Sequence, residues 1–237
     1  KLRALNPDIL FSFYYRNLVK KAVLDVFPKG ALNLHGSLLP RYRGRCPVNW
    51  VLLNGEKETG VTLHYMTPKA DDGDIVAQKR VAIADDDTPL TLFGKLEAAS
   101  SALLDTALPD LIAGRAKRTP QDHSKATVFG GRKPADGEIK WDRPAADIRN
   151  LVRAVTRPYP GAFTRVADRK LLVWSAAVAE GRAGGAPGTV ADKVREFDVD
   201  EVCASLQRRH NSGRTFSIVV VAEGAKPVGG VPSADGE

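Results

Sequence analysis

An amide and an imidazole lie two residues apart in Asn33-Leu34-His35, just before Gly36-Ser37-Leu38-Leu39-Pro40, and a carboxylate, Asp71, follows in an acidic turn. Alternation along a strand puts Asn33 and His35 on one face, and a strand ending at Gly36 delivers that face to the carboxyl edge of a sheet. There an amide N–H can stabilise an oxyanion and an imidazole can move a proton near neutral pH. A nearby carboxylate can fix the imidazole's tautomer and stabilise its charged form. One histidine on a strand is more often structural than catalytic, so spacing alone leaves both readings open. Asp71, Asp72, Gly73 and Asp74 lack the ligand pattern of a calcium loop, and no metal is expected. His64 falls on an expected strand and reads as structural; His123 and His210 support no role.

The elements that must position these side chains follow from periodicity. Residues 8–15, apolar and aromatic after an Asn-Pro break, read as a buried strand, and residues 18–27 carry a helical stripe closed by Pro28 and Gly30. Residues 31–35 read as a second strand, which makes a strand-helix-strand unit of the parallel kind. Residues 48–53 begin a helix, 60–66 and 75–83 read as strands, and 88–114 as a long leucine-rich helix opened by Thr88-Pro89 and closed at Gly114. Beyond Gly130-Gly131 the pattern predicts a strand at 138–141, a helix at 145–155 and strands at 162–166 and 170–177, a second and mostly β region. Residues 181–188 form a Gly/Ala-rich loop.

The 237 residues carry 35 Lys+Arg against 28 Asp+Glu, a net charge of +7, and 43% are hydrophobic. This fits one large or two small globular domains. Neither a membrane-spanning apolar run nor a signal-peptide stretch is found, and the two cysteines, Cys46 and Cys203, support neither a disulfide framework nor a four-cysteine zinc site. A cytoplasmic protein without a membrane partner is the expectation. The charge is uneven: residues 1–50 hold nine Lys/Arg and two Asp/Glu, whereas residues 51–100 hold five and nine. A basic segment containing Arg41, Arg43 and Arg45 suits an anionic partner, although a merely solvated basic surface reads equally well.

Residues 31–80, with the Asn33-x-His35 pair, the Ser37-Leu38-Leu39-Pro40 loop and Asp71 before a Gly-containing turn, resemble the folate-dependent formyltransferases; the match runs from residue 1 to about residue 177. Residues 10–16, 44–50, 62–64 and 152–163 are most similar to the branch that formylates UDP-4-amino-4-deoxy-L-arabinose in lipid A modification. The resemblance implies an α/β fold, an incomplete doubly wound sheet followed by a small, mostly β, partial barrel-like domain. It also implies 10-formyltetrahydrofolate as formyl donor, with no metal, and a UDP-aminosugar as acceptor, with methionyl-tRNA as the alternative. In the implied mechanism the acceptor amine attacks the formyl carbon. Asn33 and a protonated His35 stabilise the oxygen, and His35, held by Asp71, passes a proton toward the leaving folate nitrogen. The resemblance further implies that Ala70, Asp72, Gly73 and Asp74 border the cofactor's pterin. Candidate substrate-binding residues are Tyr14, with Tyr15, for stacking or hydroxyl contacts, and Arg45 and Arg132 for a pyrophosphate; Asp72 and Asp74 also read as a solvated turn, and either arginine as surface charge.

Two departures shape the expected organisation. The family's sheet begins with βαβ units that precede residues 8–15, so residues 1–118 are expected to be a catalytic domain lacking its N-terminal half. Residues 119–133 read as a linker and 134–190 as a partial barrel-like domain. Residues 191–237, a helix and then a continuous apolar strand at 218–222, resemble an internal segment of bacterial phosphofructokinase, with Glu223 at a sugar-phosphate position. That strand is expected to lack partners on both sides. A catalytically inactive remnant is therefore a further alternative, and oligomeric state is open.

Overall fold

In the computed structural model, which describes residues 1–15, 17–166, 169–179 and 215–221, the chain runs as follows. The first elements are β1 (Leu10–Ser12), α1 (Lys21–Leu24), β2 (Ala31–His35), β3 (Arg43–Gly44) and α2 (Pro47–Leu53). Then come β4 (Glu58–Tyr65), β5 (Ile75–Ala82), α3 (Pro89–Ile112), β6 (Val128–Phe129) and α4 (Ala145–Val155). The last are β7 (Ala162–Val166), β8 (Arg169–Ala179) and β9 (Thr215–Val221). The chain divides into two compact units. One comprises residues 1–51, 56–87 and 91–131; the other takes residues 52–55, 88–90 and 132 onward. No helix of the described residues is long and apolar enough to cross a membrane.

The first unit is built on a sheet of order β1-β2-β4-β5. β1 and β2 are parallel, as the strand-helix-strand rhythm predicts, whereas β2–β4 and β4–β5 are antiparallel. The β4–β5 pair is antiparallel because residues 66–74 return the chain directly from β4 to β5, without the crossover that a parallel pair requires. Leu32, Val61 and Leu63 are buried in this sheet. In α3 the buried residues Leu92, Leu96, Ala99, Leu103, Ala107 and Leu111 recur every three or four residues and form one stripe.

Two expected elements are shorter. β1 covers only Leu10–Ser12, and Phe13, Tyr14 and Tyr15 are exposed rather than buried. Tyr14 takes a left-handed φ of 55°, which turns the chain out of the sheet edge. α1 is a single turn with no side-chain cap, the state expected of a short helix without a supporting N-cap.

In the second unit α4 buries Ala145, Ile148, Val152 and Val155 in one cluster with Ile139, Ala162 and Val173, and Trp141 packs against it. Residues 138–141, expected as a strand, make only one bridge, Glu138 to Phe163, with Ile139 N–H donating to the Phe163 carbonyl at 2.7 Å. β7 and β8 are antiparallel, and β9 lies parallel to β8 from Leu172↔Thr215 to Ala179↔Val221. The expectation of a strand without partners is thus corrected: its backbone is satisfied along one side by β8. Residues 181–188, the expected helix before β9 and Glu223 lie outside the described residues.

Candidate functional site

β2 and β4 bring the candidate side chains together through their register. Asn33 pairs with His64 and His35 with Thr62, and alternation puts all four on one face of the sheet. The Asn33 amide Nδ2 lies 3.2 Å from His64 Nε2. His35 is buried, and its Nε2 lies 2.7 Å from the Tyr42 carbonyl. A carbonyl only accepts, so Nε2 carries a hydrogen in either protonation state of the ring. Thr62 anchors the loop that follows: its hydroxyl donates to the Ser37 carbonyl at 2.7 Å and accepts from Leu39 N–H at 3.2 Å and Gln78 Nε2 at 2.8 Å.

Asp71 reaches this face from the 66–74 connection. Its Oδ2 lies 3.6 Å from His35 Nδ1 and its Oδ1 3.6 Å from His64 Nε2, and Gly44 N–H donates to Oδ2 at 2.8 Å. Asp71 itself has a left-handed φ of 52°, and the turn is clasped from behind. Gln121 Nε2 donates to the carbonyls of Asp71 at 2.9 Å and Gly73 at 2.7 Å, while Gln121 Oε1 accepts from Arg43 Nη2 at 2.5 Å. Gly73 packs so closely on β4 that a Cβ there would fall 2.0 Å from the Tyr65 carbonyl oxygen.

Burial is the largest influence on His35 and pushes its pKa below the ordinary 6.5, against the opposing pull of the Asp71 carboxylate and the Tyr42 carbonyl. His35 is therefore a neutral imidazole in the free protein at physiological pH. Burial alone would raise Asp71, but the His64 and His35 rings in their protonated forms, with the Gly44 N–H, outweigh it and hold the carboxyl below its ordinary 3.8. Asp71 stays ionised. His35 thus sits with an N–H donor at Nε2 and an anion beside Nδ1, ready to stabilise an imidazolium if it gains a proton.

Asn33, His35 and Asp71, the three residues expected to act together, converge in this way. Of the residues expected around a cofactor, Ala70 is exposed, Gly73 is buried, and Asp72 and Asp74 are half-buried. The Asp72 carboxylate accepts from the Thr67 hydroxyl. Asp72, Gly73 and Asp74 line an open cavity of about 590 Å³ with Tyr65, Lys69 and Arg118, and the Arg118 guanidinium lies 3.6 Å over the Tyr65 ring. Tyr14 is 78% exposed. Arg45 is exposed beside Gly131, and Arg132, which belongs to the second unit, donates to the Asp136 carbonyl at 2.8 Å. The basic patch is smaller than expected. Arg43 is buried on Gln121, with His123 Nδ1 3.0 Å away, and Arg41 pairs with Glu56. Among the described residues no group of three His, Cys, Asp or Glu is placed to hold a metal ion.

Two contributors escape a linear reading. His64, expected to be structural, lies within the cluster, and Gln121 holds the turn that carries Asp71. Only the β2–β4 register could have signalled the first, and the second is 50 residues away from Asp71.

The fold that carries this geometry is shared with known proteins. The chain resembles the structure of a sugar N-formyltransferase from a Shewanella species, at 24% identity over 70% of this chain and 68% of that one, with a TM-score of 0.61. Similar too is methionyl-tRNA formyltransferase from Clostridium thermocellum, at 24% identity over 72% of each chain and a TM-score of 0.58. A third is the N-formyltransferase from Helicobacter canadensis in complex with folinic acid and dTDP-3-aminofucose, at 24% identity over 68% of this chain and 59% of that one, TM-score 0.56. These likenesses establish the shared fold. The formyl transferase family model matches residues 1–108, and the model of that family's C-terminal domain matches residues 132–204. With both of its domains represented, one after the other over most of its length, the chain belongs to the formyl transferase family.

Proposed function

We propose that this formyltransferase moves the formyl group of 10-formyltetrahydrofolate to the amine of a UDP-4-amino sugar of the 4-amino-4-deoxy-L-arabinose type, as a cytoplasmic step of lipid A modification. The observation that carries the reading is the convergence of Asn33, His35 and Asp71 on one sheet face. The acceptor class draws support from the motifs at residues 10–16, 44–50 and 152–163 and from the amino-sugar nucleotide bound by the Helicobacter relative. The residues present fit a folate. The carboxylates of Asp72 and Asp74 and the backbone of the turn can serve the hydrogen-bonding edge of a pterin, and Tyr65 and Met66 give the same cavity apolar surface. Tyr14 and Arg45, both exposed, are assigned to the sugar nucleotide.

The donor supplies an electrophilic formyl carbon. Asn33 donates an amide N–H to the formyl oxygen as it gains charge. His35 Nε2–H, released from the Tyr42 carbonyl when substrate enters, is the second donor to that oxygen. The amine's proton is taken up at His35 Nδ1, where Asp71 stabilises the imidazolium, and the Nε2 hydrogen then passes to the leaving nitrogen.

Calorimetric titration of the full chain with 10-formyltetrahydrofolate, followed by turnover with UDP-4-amino-4-deoxy-L-arabinose and with methionyl-tRNA, tests the reading. Saturable donor binding and formylation of the sugar are expected. Turnover of the tRNA alone would establish the methionyl-tRNA alternative, and a folded chain that binds no donor would be a catalytically inactive remnant.

A further inference from the structure

His64 is 2% exposed and takes no part in the chemistry just described, yet both nitrogens of its ring meet polar groups. Nδ1 lies 2.8 Å from the carbonyl of Tyr65. Since that oxygen can only accept, the hydrogen of a neutral His64 is on Nδ1, and Nε2 presents a lone pair. The atom 3.2 Å from that lone pair is Nδ2 of Asn33. The Asp71 oxygen at 3.6 Å from Nε2 is beyond hydrogen-bond distance and does not draw the hydrogen across the ring.

This fixes an otherwise ambiguous choice. The oxygen and nitrogen of an asparagine amide are nearly isosteric, and only the partners decide which way the group faces. A lone pair at His64 Nε2 accepts from the NH₂ side and rejects the oxygen. One amide hydrogen of Asn33 is then spent on His64, and the second remains for an incoming oxygen. With the hydrogen on Nε2 instead, Asn33 would turn its oxygen toward His64 and swing both its donors away.

We propose that His64, in its Nδ1–H tautomer, is a positioning residue that sets the orientation of the Asn33 amide and so keeps a donor directed at the reacting oxygen. The proposal rests on the reading of Asn33 as the oxyanion donor. Misdirected donors cost about 10- to 100-fold in turnover. His64→Leu is therefore expected to lower kcat by about that factor with KM for the donor little changed, and His64→Gln, which restores an acceptor oxygen, should recover most of the loss.

The deciding comparison is made in an Asn33→Ala background, with single-turnover rates. There His64→Leu should have less than about a two-fold further effect, because residues that act through one another are not additive. An undiminished second loss, or a Gln variant no better than Leu, would overturn the proposal. Long-range ¹H–¹⁵N correlation of the histidines in the full chain reads the tautomer independently of activity. An Nδ1–H signal for His64 is expected, and Nε2–H would overturn the proposal. A wild-type chain that turns over no acceptor would instead refute the formyl-transfer reading, and the tautomer would still be measurable.

Discussion

In the proposed mechanism, turnover requires two donors, from Asn33 and His35, to reach one oxygen. Asn33→Ala is expected to lower kcat by about 100- to 1,000-fold, and His35→Gln by about 100- to 10,000-fold, both measured by formylation of the acceptor amine at saturating donor. Protonation also has a stability consequence. Above pH 6.5 neither the folded nor the unfolded chain holds a proton on His35. Below it the unfolded chain takes one up while the buried ring resists, so stability falls as pH drops from 6.5 toward the lower folded value. Asp71 acts in a lower window: its contribution is complete above 3.8 and fades as pH falls beneath that. Urea midpoints between pH 7.5 and about 5 should therefore decline more steeply for the wild type than for His35→Gln, which has no ring to protonate. The grouping of Asn33, His35 and Asp71 was legible in the sequence because amide, imidazole and carboxylate are complementary types and strand alternation places two of them together. His64 was not, since its partner lies 31 residues away and only strand register joins them.

Among the elements, the 66–74 connection decides whether Asp71 meets the sheet face, and Gln121 holds it there. Gln121→Ala removes both donors to the Asp71 and Gly73 carbonyls and the acceptor for the buried Arg43. The expected cost is about 1–3 kcal/mol per buried group left unsatisfied, read in urea unfolding, together with a lower kcat. Gly73→Ala should act more locally. Its Cβ collides with the Tyr65 carbonyl, so the turn must shift and kcat should fall more than stability does. The sequence marked β2 and α4 at their observed boundaries, because a short apolar strand and an amphipathic helix each carry their own period. It overstated β1 and the segment at 138–141. Both have the composition of strands, but strand length is set by the neighbour, and Tyr14 leaves the sheet while Glu138 finds a single bridge.

For the whole molecule, the basic residues at 41–45 do not form one broad anionic-ligand face, since Arg43 is buried on Gln121 and Arg41 pairs at the surface with Glu56. β9 changes the expectation for the C-terminal region. Ending the chain at residue 190 would strip β8 of its parallel neighbour and expose a row of backbone donors and acceptors. The shortened chain is expected to melt at lower temperature and scatter more light on heating than the full chain; equal behaviour would show that β9 contributes nothing to β8. The pairing of β3 with β6 carries a different consequence. Tyr42, whose carbonyl accepts from His35, is fastened by its N–H to the Thr127 hydroxyl across 85 residues of chain. Closing so long a loop costs entropy before any contact repays it. During folding, the sheet carrying Asn33, His35 and His64 should assemble ahead of this clasp, so the reactive face takes shape early and its last wall arrives late.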